Sequence, residues 1–202
     1  MLGEGVTKLT ILPLFPQYSG TTVGAIFDGV AEYFNKTDKI VDLCFIPSFH
    51  THPAYISYFA DGIKAAVAEH GLDGVLFSYH NIPLAYVQDG DQYPTECQQT
   101  TKLIMERVGD VSHVLAYQSV FGRDEWMSPK TEEIIKNLPI KGIKRLLVVA
   151  PGFVADNLET ILELNIEARE DFIKAGGEKF IYLPTFNADR RLAEILCSIA
   201  GV

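Results

Sequence analysis

One histidine stands where a chemically active side chain is expected. His80 follows the apolar run Gly74–Ser78, within the segment FSYHNIP (77–83). A neutral imidazole can accept a proton or ligate a metal near pH 7, which few other side chains can do. An isolated histidine at the end of a strand also commonly anchors a loop through hydrogen bonds. The residue by itself therefore leaves both interpretations open.

A row of carboxylates is the second chemical feature. Glu159, Glu163 and Glu167 recur every four residues, and Asp156 precedes them. On a helix this spacing aligns the side chains along one face, where like charges mildly destabilise the helix. Such a row can attract a divalent cation or pass protons outward from a buried site. Because Asp156 and Glu159 also fit a capping-box-like pattern, a solvated helix face stays open as the alternative.

Two further patterns carry less information. His50 and His52 are two residues apart, which suits two ligands on one face of an extended segment, but a solvated loop pair is the favoured interpretation. The segment GTTVG (20–24) opens a predicted helix, where N–H groups can face an anion. It lacks the spacing of a nucleotide-binding loop, so no nucleotide site is predicted.

Short apolar runs alternate with amphipathic stretches, and these elements must position the candidate side chains. Six runs are predicted as strands: Leu9–Leu14, Ile40–Ile46, Gly74–Ser78, Val114–Tyr117, Arg145–Val149 and Phe180–Leu183. Six stretches are predicted as helices: Thr22–Asn35, Ala54–Glu69, Glu96–Arg107, Pro129–Lys136, Val154–Lys174 and Asp189–Ser198. Apolar strands with little polar alternation are covered on both faces. The order predicts an α/β fold with a doubly wound parallel sheet flanked by helices.

The carboxyl ends of the predicted strands are rich in aromatic residues. Phe15, Phe49, Tyr79 and Phe153 follow or end four of the strands, and Trp126 lies in a nearby loop. In an open α/β sheet, ligands bind outside the carboxyl ends of the strands. A rim of flat rings there predicts a large, flat, apolar ligand.

Composition excludes several classes of protein. The 202 residues include 17 Lys and Arg against 26 Asp and Glu, a formal net charge of −9, which makes nucleic acid an unfavourable partner. Cys44, Cys97 and Cys197 form no C-x-x-C pair, so a reducing compartment is expected. Neither a signal peptide nor a membrane-spanning run is visible, which predicts a cytoplasmic protein.

Four motifs resemble the signatures of the ferrochelatase family, in that family's order. They are LPLFPQYS (12–19), FSYHNIP (77–83) followed by GDQY (90–93), YQS (117–119) with Phe121, Gly122 and Trp126, and FVADNLET (153–160). The resemblance spans nearly the whole chain. It implies a chelatase-like fold, the second half of a two-domain architecture.

The resemblance also implies an activity. The family inserts ferrous iron into a porphyrin in haem biosynthesis, with iron as substrate and no organic cofactor; protoporphyrin IX is the expected porphyrin, and no iron–sulfur cluster is implied. His80 and Glu159 match the family's active-site histidine and facing glutamate, described as metal ligands or as proton acceptors for the pyrrole nitrogens. The implied substrate-binding residues are Ser78, Tyr79, Gln118, Trp126 and Phe153. The implied path for protons or metal is Asp156, Glu163 and Glu167.

The chain departs from the family in length. Residues 1–202 match the C-terminal chelatase-like domain, and the N-terminal half of the family is absent. The alternative function is therefore an inactive or assembly-dependent fragment that binds porphyrin or metal without the other half of the cleft. An apolar face left by the missing half predicts self-association. Peripheral contact with a membrane stays open.

Overall fold

The structure is a computed structural model that describes residues 5–202; the first four residues of the predicted 1–202 domain lie outside the described range. All six predicted strands are confirmed, and every paired strand runs parallel. They are β1 (Lys8–Ile11), β2 (Asp42–Phe45), β3 (Gly74–His80), β4 (Ser112–Gln118), β5 (Arg145–Val149) and β6 (Lys179–Leu183). The α/β class predicted from the sequence is therefore confirmed.

The strands alternate with helices of two kinds. The α-helices are α1 (Ala25–Phe34), α2 (Pro53–His70), α3 (Leu84–Gln88), α4 (Tyr93–Val108), α5 (Thr131–Asn137), α6 (Arg169–Lys174) and α7 (Arg190–Ala200). Two segments are π-helices, Gly20–Gly24 and Glu159–Ala168. The latter is called the carboxylate helix below, because it carries the predicted row of glutamates. Within residues 5–202, no helix has the length and apolarity needed to cross a bilayer.

The strands divide between two sheets, where the sequence suggested one. Four strands form a sheet in the order β4-β3-β5-β6, while β1 and β2 pair with each other. In the larger sheet the register aligns Phe77 with Leu115 and with Val149 on either side. Because all four strands are parallel, their carboxyl ends meet at one edge.

Each face of the four-stranded sheet packs against its own helices. Val75, Phe77 and Tyr79 point into one core, which α2 and α4 cover. Leu76 points into the opposite core, which α5, the carboxylate helix and α6 cover. Successive residues of a strand point to opposite faces, so this alternation decides which residues of β3 face the carboxylate helix.

The layer formed by β1, β2 and α1 is much more exposed. No residue of α1 is buried, and Asp42, Leu43 and Cys44 of β2 are exposed. Parallel strands in known folds are normally covered on both faces. The layer is tied to the larger sheet through α4, where Glu96 Oε2 accepts hydrogen bonds from the Tyr18 N–H and the Ser48 hydroxyl, both at 2.7 Å.

Candidate active site

His80 ends β3 and has a defined tautomer. Its Nδ1 atom lies 2.6 Å from the main-chain oxygen of Asn81. A carbonyl oxygen only accepts hydrogen bonds, so Nδ1 must carry the proton. The lone pair of Nε2 is therefore available to a proton or a metal. The main chain here is also fixed, because the Tyr93 hydroxyl donates to the His80 carbonyl at 3.0 Å.

Glu159 is the first residue of the carboxylate helix. Asn157 caps this end: its Oδ1 accepts from the N–H groups of Glu159 at 2.9 Å and Thr160 at 3.1 Å. Side-chain oxygens of this kind satisfy N–H groups that have no partner within the helix. The Asn157 cap therefore fixes the start of the carboxylate helix, from which the Glu159 side chain reaches the end of β3.

The two candidate side chains face each other. His80 Nε2 lies 3.5 Å from Glu159 Oε1, and the side chains are 32% and 37% exposed. This distance is longer than an ordinary hydrogen bond, and in the neutral imidazole with its proton on Nδ1 both facing atoms are acceptors. The space between them consequently suits a cation or a proton in transit.

An aromatic cavity of about 520 Å³ opens beside this pair. Trp126 and Phe121 form one wall, with ring centroids 5.0 Å apart, and the predicted residues Phe15 and Phe153 also line it. The remaining lining residues include Tyr86, Tyr93, Ile82, Ser19, Thr21 and Thr22. Apolar walls with a few convergent polar groups are typical of small-molecule sites.

A second cavity, of about 500 Å³, follows the carboxylate helix. Glu163 and Glu167 line it, and the Ser119 hydroxyl donates to Glu163 Oε2 at 2.7 Å. Glu159 and Phe121 line both cavities. Glu159, the first carboxylate of the row, therefore connects the aromatic cavity with Glu163 and Glu167 in the second cavity.

Asp156 lies apart from this row, and its part in a path for protons or metal stays a prediction. Its Oδ1 accepts from the Tyr182 hydroxyl at 2.7 Å, and its Oδ2 accepts from Asn187 Nδ2 at 2.6 Å. It also accepts from the Thr160 hydroxyl at 3.2 Å. Asp156 lies before the helix starts and faces β6, so it fixes the approach to the helix and does not line either cavity.

Tyr79 and Phe49 both pack into the core that α2 and α4 cover. Tyr79 is fully buried, its hydroxyl lies 2.9 Å from that of Thr101, and burial raises its pKa well above the usual value. Since it neighbours His80 on β3, strand alternation turns it to the opposite face. Phe49 packs against Tyr55 in the same core. Neither ring lines the aromatic cavity.

Ser78 and Gln118 are buried beneath the site. The Ser78 hydroxyl donates to Gln118 Oε1 at 2.7 Å, and Gln118 Nε2 donates to the Glu159 carbonyl at 3.1 Å. Gln118 lines the second cavity, and Ser78 lines neither. The contact of these two residues with the substrate, which the family resemblance implies, stays a prediction.

His50 and His52 do not face each other. His50 Nδ1 lies 2.6 Å from the Ser48 hydroxyl and 3.1 Å from Glu96 Oε2, whereas His52 Nε2 lies 3.5 Å from the Ser198 hydroxyl. Burial lowers the pKa of His50, but hydrogen bonds with Glu96 and Gln99 and the charge of Glu96 outweigh it and raise the pKa. His50 therefore belongs to the junction between the two sheets.

Sequence reasoning missed some of the lining. Tyr86 lies on α3, a five-residue helix that the sequence analysis did not predict, although Pro83 directly before it is a helix-start signal. Asn81 also lines this cavity, and no sequence pattern singles it out. In the part of the chain that the structure describes, no group of three or more His, Cys, Asp or Glu side chains is arranged to hold a metal.

The fold and the site define a chelatase-like α/β protein. The fold resembles the crystal structure of a multi-domain protein from Deinococcus radiodurans, described as similar to chelatases, with a TM-score of 0.62 and 10% identity over 96% of this chain and 41% of that one. The model of the Ferrochelatase family matches residues 1–201, so the chain belongs to the ferrochelatase family.

Individual relatives agree with this assignment. The chain is 50% identical over 202 residues to a coproporphyrin III ferrochelatase of Enterococcus faecalis, covering 100% of this chain and 64% of that protein. It is 45% identical over 187 residues to a ferrochelatase of Hydrogenovibrio crunogenus, covering 91% of this chain and 50% of that protein. The chain thus spans one half to two thirds of the length of these relatives.

Proposed function

We propose that this chain inserts ferrous iron into a porphyrin, as a ferrochelatase. The observation that carries the proposal is the separation of 3.5 Å between His80 Nε2 and Glu159 Oε1 beside an aromatic cavity. Insertion must remove water from a divalent metal, hold a rigid macrocycle and take up two pyrrole protons. The residues around the pair address each of these requirements.

The pair is spaced to bind a metal through two protein atoms. With metal–ligand bonds of about 2.1 Å, as for zinc, atoms 3.5 Å apart subtend about 113° at the metal, close to the tetrahedral angle. Two protein ligands leave the remaining positions to water and then to the porphyrin nitrogens. An open coordination sphere of this kind is what a metal in transit requires.

Protons leave by the same pair. Each metal inserted into the free-base porphyrin replaces two N–H protons, so two protons are released for each divalent cation that enters. Once the metal has passed from the pair to the macrocycle, the lone pair of His80 Nε2 is free to accept one proton at a time, and Glu159 Oε1 is the next acceptor. Because Glu159 also lines the second cavity, Glu163 and Glu167 continue the row of acceptors.

The aromatic cavity would hold the macrocycle. Its volume of about 520 Å³ falls within the range of about 300–1,000 Å³ for small-molecule sites. Trp126 and Phe153 supply flat faces against which a flat ring can stack. The carboxylate helix lies at the end of this cavity where Glu159 enters it.

Protoporphyrin IX and coproporphyrin III are the two candidate substrates. The sequence analysis expects protoporphyrin IX, but the relative at 50% identity is named for coproporphyrin III. The two porphyrins are distinguished by measuring zinc insertion into each under matched conditions. If kcat/KM for one porphyrin exceeds that for the other by more than about tenfold, or about 1.4 kcal/mol of transition-state stabilisation, the porphyrin with the higher value is identified as the substrate.

The second candidate function is a fragment that acts only in an assembly. It is favoured by the exposed apolar side chains of the β1–β2 layer, including Phe27 at 50%, Ile40 at 96% and Leu43 at 38% exposure. Adding the part of the Enterococcus faecalis relative that this chain does not cover separates the candidates. A self-sufficient enzyme keeps its rate, whereas an assembly-dependent fragment becomes active only with the added part.

The test of the proposed function is metallation followed by absorbance. Zn²⁺ or, under anaerobic conditions, Fe²⁺ is mixed with the chain and a porphyrin, with and without the added part. We expect the visible bands of the free-base porphyrin to be replaced by those of the metalloporphyrin, in proportion to protein concentration. Absence of catalysed insertion under both conditions, with either porphyrin, would overturn the proposal.

A further inference from the structure

A buried glutamine joins the strand that carries His80 to the helix that carries Glu159. Gln118 ends β4 and is 4% exposed. Its Nε2 donates to the Glu159 carbonyl at 3.1 Å, and its Oε1 accepts from the Ser78 hydroxyl at 2.7 Å. Both ends of one planar amide are therefore engaged, one with β3 and the other with the carboxylate helix.

The register of the sheet places Gln118 beside His80. The two residues are paired across β3 and β4, and Ser78 precedes His80 by two residues on the same face of β3. The Gln118 carbonyl also accepts from the Asn81 N–H at 2.8 Å. The glutamine is thus fixed to both sides of His80 while its side chain reaches the first residue of the carboxylate helix.

The donor and the acceptor of each hydrogen bond around Gln118 can be assigned. The single hydroxyl proton of Ser78 is donated to Gln118, so the contact of 2.8 Å between Ser78 and Thr131 must have Thr131 as donor. Protons therefore point from Thr131 to Ser78 to Gln118 to the Glu159 carbonyl. The Glu159 carbonyl fixes the orientation of the amide, because it can only accept, and the reversed amide would place the Gln118 oxygen against it as a second acceptor.

We propose that Gln118 is a positioning residue that sets the separation between His80 and Glu159. The inference rests on the proposed function, since that separation matters because the pair binds metal. Gln118 does not line the aromatic cavity, so it acts on the metal pair and not on the porphyrin. Loss of its amide releases the start of the carboxylate helix from β4 and moves Glu159 relative to His80.

The test compares two variants with a matched control. Gln118→Met keeps the approximate volume and removes both hydrogen bonds of the amide, and Ser78→Ala removes the bond to Gln118 Oε1 together with the contact to Thr131 but leaves the bond to the Glu159 carbonyl. Gln98→Met makes the same change at an exposed position of α4. Hydrogen exchange of the peptide spanning Glu159–Ala168 reports on the helix without requiring activity. Zinc insertion reports separately the KM for Zn²⁺, the KM for porphyrin and kcat.

We expect faster exchange across the carboxylate helix in both variants, with the larger effect in Gln118→Met and none in Gln98→Met. In both variants the kcat/KM of zinc insertion should fall about 10–100-fold, through a lower kcat or a higher KM for Zn²⁺. The KM for porphyrin should stay within about twofold of the wild-type value. Unchanged exchange with unchanged zinc kinetics would overturn the proposal, as would a rise confined to the KM for porphyrin. If the wild-type chain fails to metallate even with the added part of the relative, the proposed function fails, and hydrogen exchange still decides whether Gln118 holds the helix.

Discussion

Removing the side chain of Asn81 should loosen the tryptophan wall of the cavity. Asn81 is 1% exposed and is bonded twice to the main chain of Met127: Nδ2 donates to the Met127 carbonyl, and Oδ1 accepts from the Met127 N–H, both at 3.1 Å. Met127 directly follows Trp126, whose backbone also forms a bridge with Pro83. Asn81 is therefore the side chain that holds the Trp126 loop against the end of β3.

The expected cost follows from these two bonds. Asn81→Ala leaves the N–H and C=O groups of Met127 unsatisfied, and each buried group of this kind costs about 1–3 kcal/mol. We therefore expect the free energy of unfolding to fall by about 2–6 kcal/mol. Asn81→Asp keeps an acceptor for the N–H but loses the donor, so it should also destabilise. The control Asn35→Ala changes an exposed residue at the end of α1 and should stay within about 0.5 kcal/mol.

The assay combines urea unfolding with fluorescence. Trp126 is the single tryptophan of the chain and is 9% exposed, so its emission reports on this wall alone. In Asn81→Ala the native emission should shift to longer wavelength as water reaches the indole. A loss of stability below about 1 kcal/mol together with unchanged emission would refute the assignment of the wall to Asn81.

Three further predictions concern the site and its surroundings. Porphyrin titration should quench the emission of Trp126, and Tyr79→Phe should leave that affinity unchanged while costing about 1 kcal/mol of stability; weaker porphyrin binding in Tyr79→Phe would contradict the burial of that ring. Glu159→Gln removes the carboxylate charge with little change of shape and should lower metallation at least about 10-fold without weakening porphyrin binding; equal rates would contradict its role. Despite burial, hydrogen bonds between His50 and Glu96 raise the pKa of His50 above 6.5 and lower that of Glu96 below 4.5. The stabilisation by this pair is lost as pH rises through the pKa of His50 or falls through the pKa of Glu96. In urea unfolding, His50→Ala should therefore lower the free energy of unfolding by on the order of 1 kcal/mol, and by more at pH 5.5 than at pH 8.5. A cost of the substitution that grows with pH would contradict the pairing.

The elements of the fold could be predicted from local sequence, but their grouping could not. Apolar runs such as Arg145–Val149 show little polar alternation because both faces of the strand are covered, and each run proved to be a strand. The division into sheets of four and two strands depends on which strands pair, and a run such as Ile40–Ile46 contains no signal for its partner. The helix α3 was missed because five residues are too few to show helical periodicity.

The site residues could be predicted in part, and the geometry of strands and helices explains why some of them lie elsewhere than expected. Motif resemblance indicated His80 and Glu159, and the structure brings them together, although their roles stay a proposal. Tyr79 is expected on the aromatic rim because it follows a predicted strand, yet a period of two residues implies that Tyr79 and His80 face opposite sides of the sheet. Asp156 was added to the glutamate row because an α-helix was predicted to begin at Val154, before the observed start.

The π-helical geometry of Glu159–Ala168 could not be predicted at all. With hydrogen bonds from residue i+5 to residue i, each turn is wider than in an α-helix, and π-helical turns are frequent at functional sites. Residues four apart lie nearly one above the other in either geometry, so the spacing of Glu159, Glu163 and Glu167 is compatible with both. The sequence pattern therefore indicated the row of carboxylates without indicating the helix type that carries it.

The most direct test of the central claim is porphyrin metallation by His80→Ala, compared with the wild type and with His113→Ala. His113 is an exposed histidine near the opposite end of β4, so its loss controls for the removal of an imidazole. We predict that porphyrin still quenches the Trp126 emission of His80→Ala but that this variant forms no metalloporphyrin. His113→Ala should form metalloporphyrin at the wild-type rate. Turnover by His80→Ala at a rate close to that of the wild type would contradict the account.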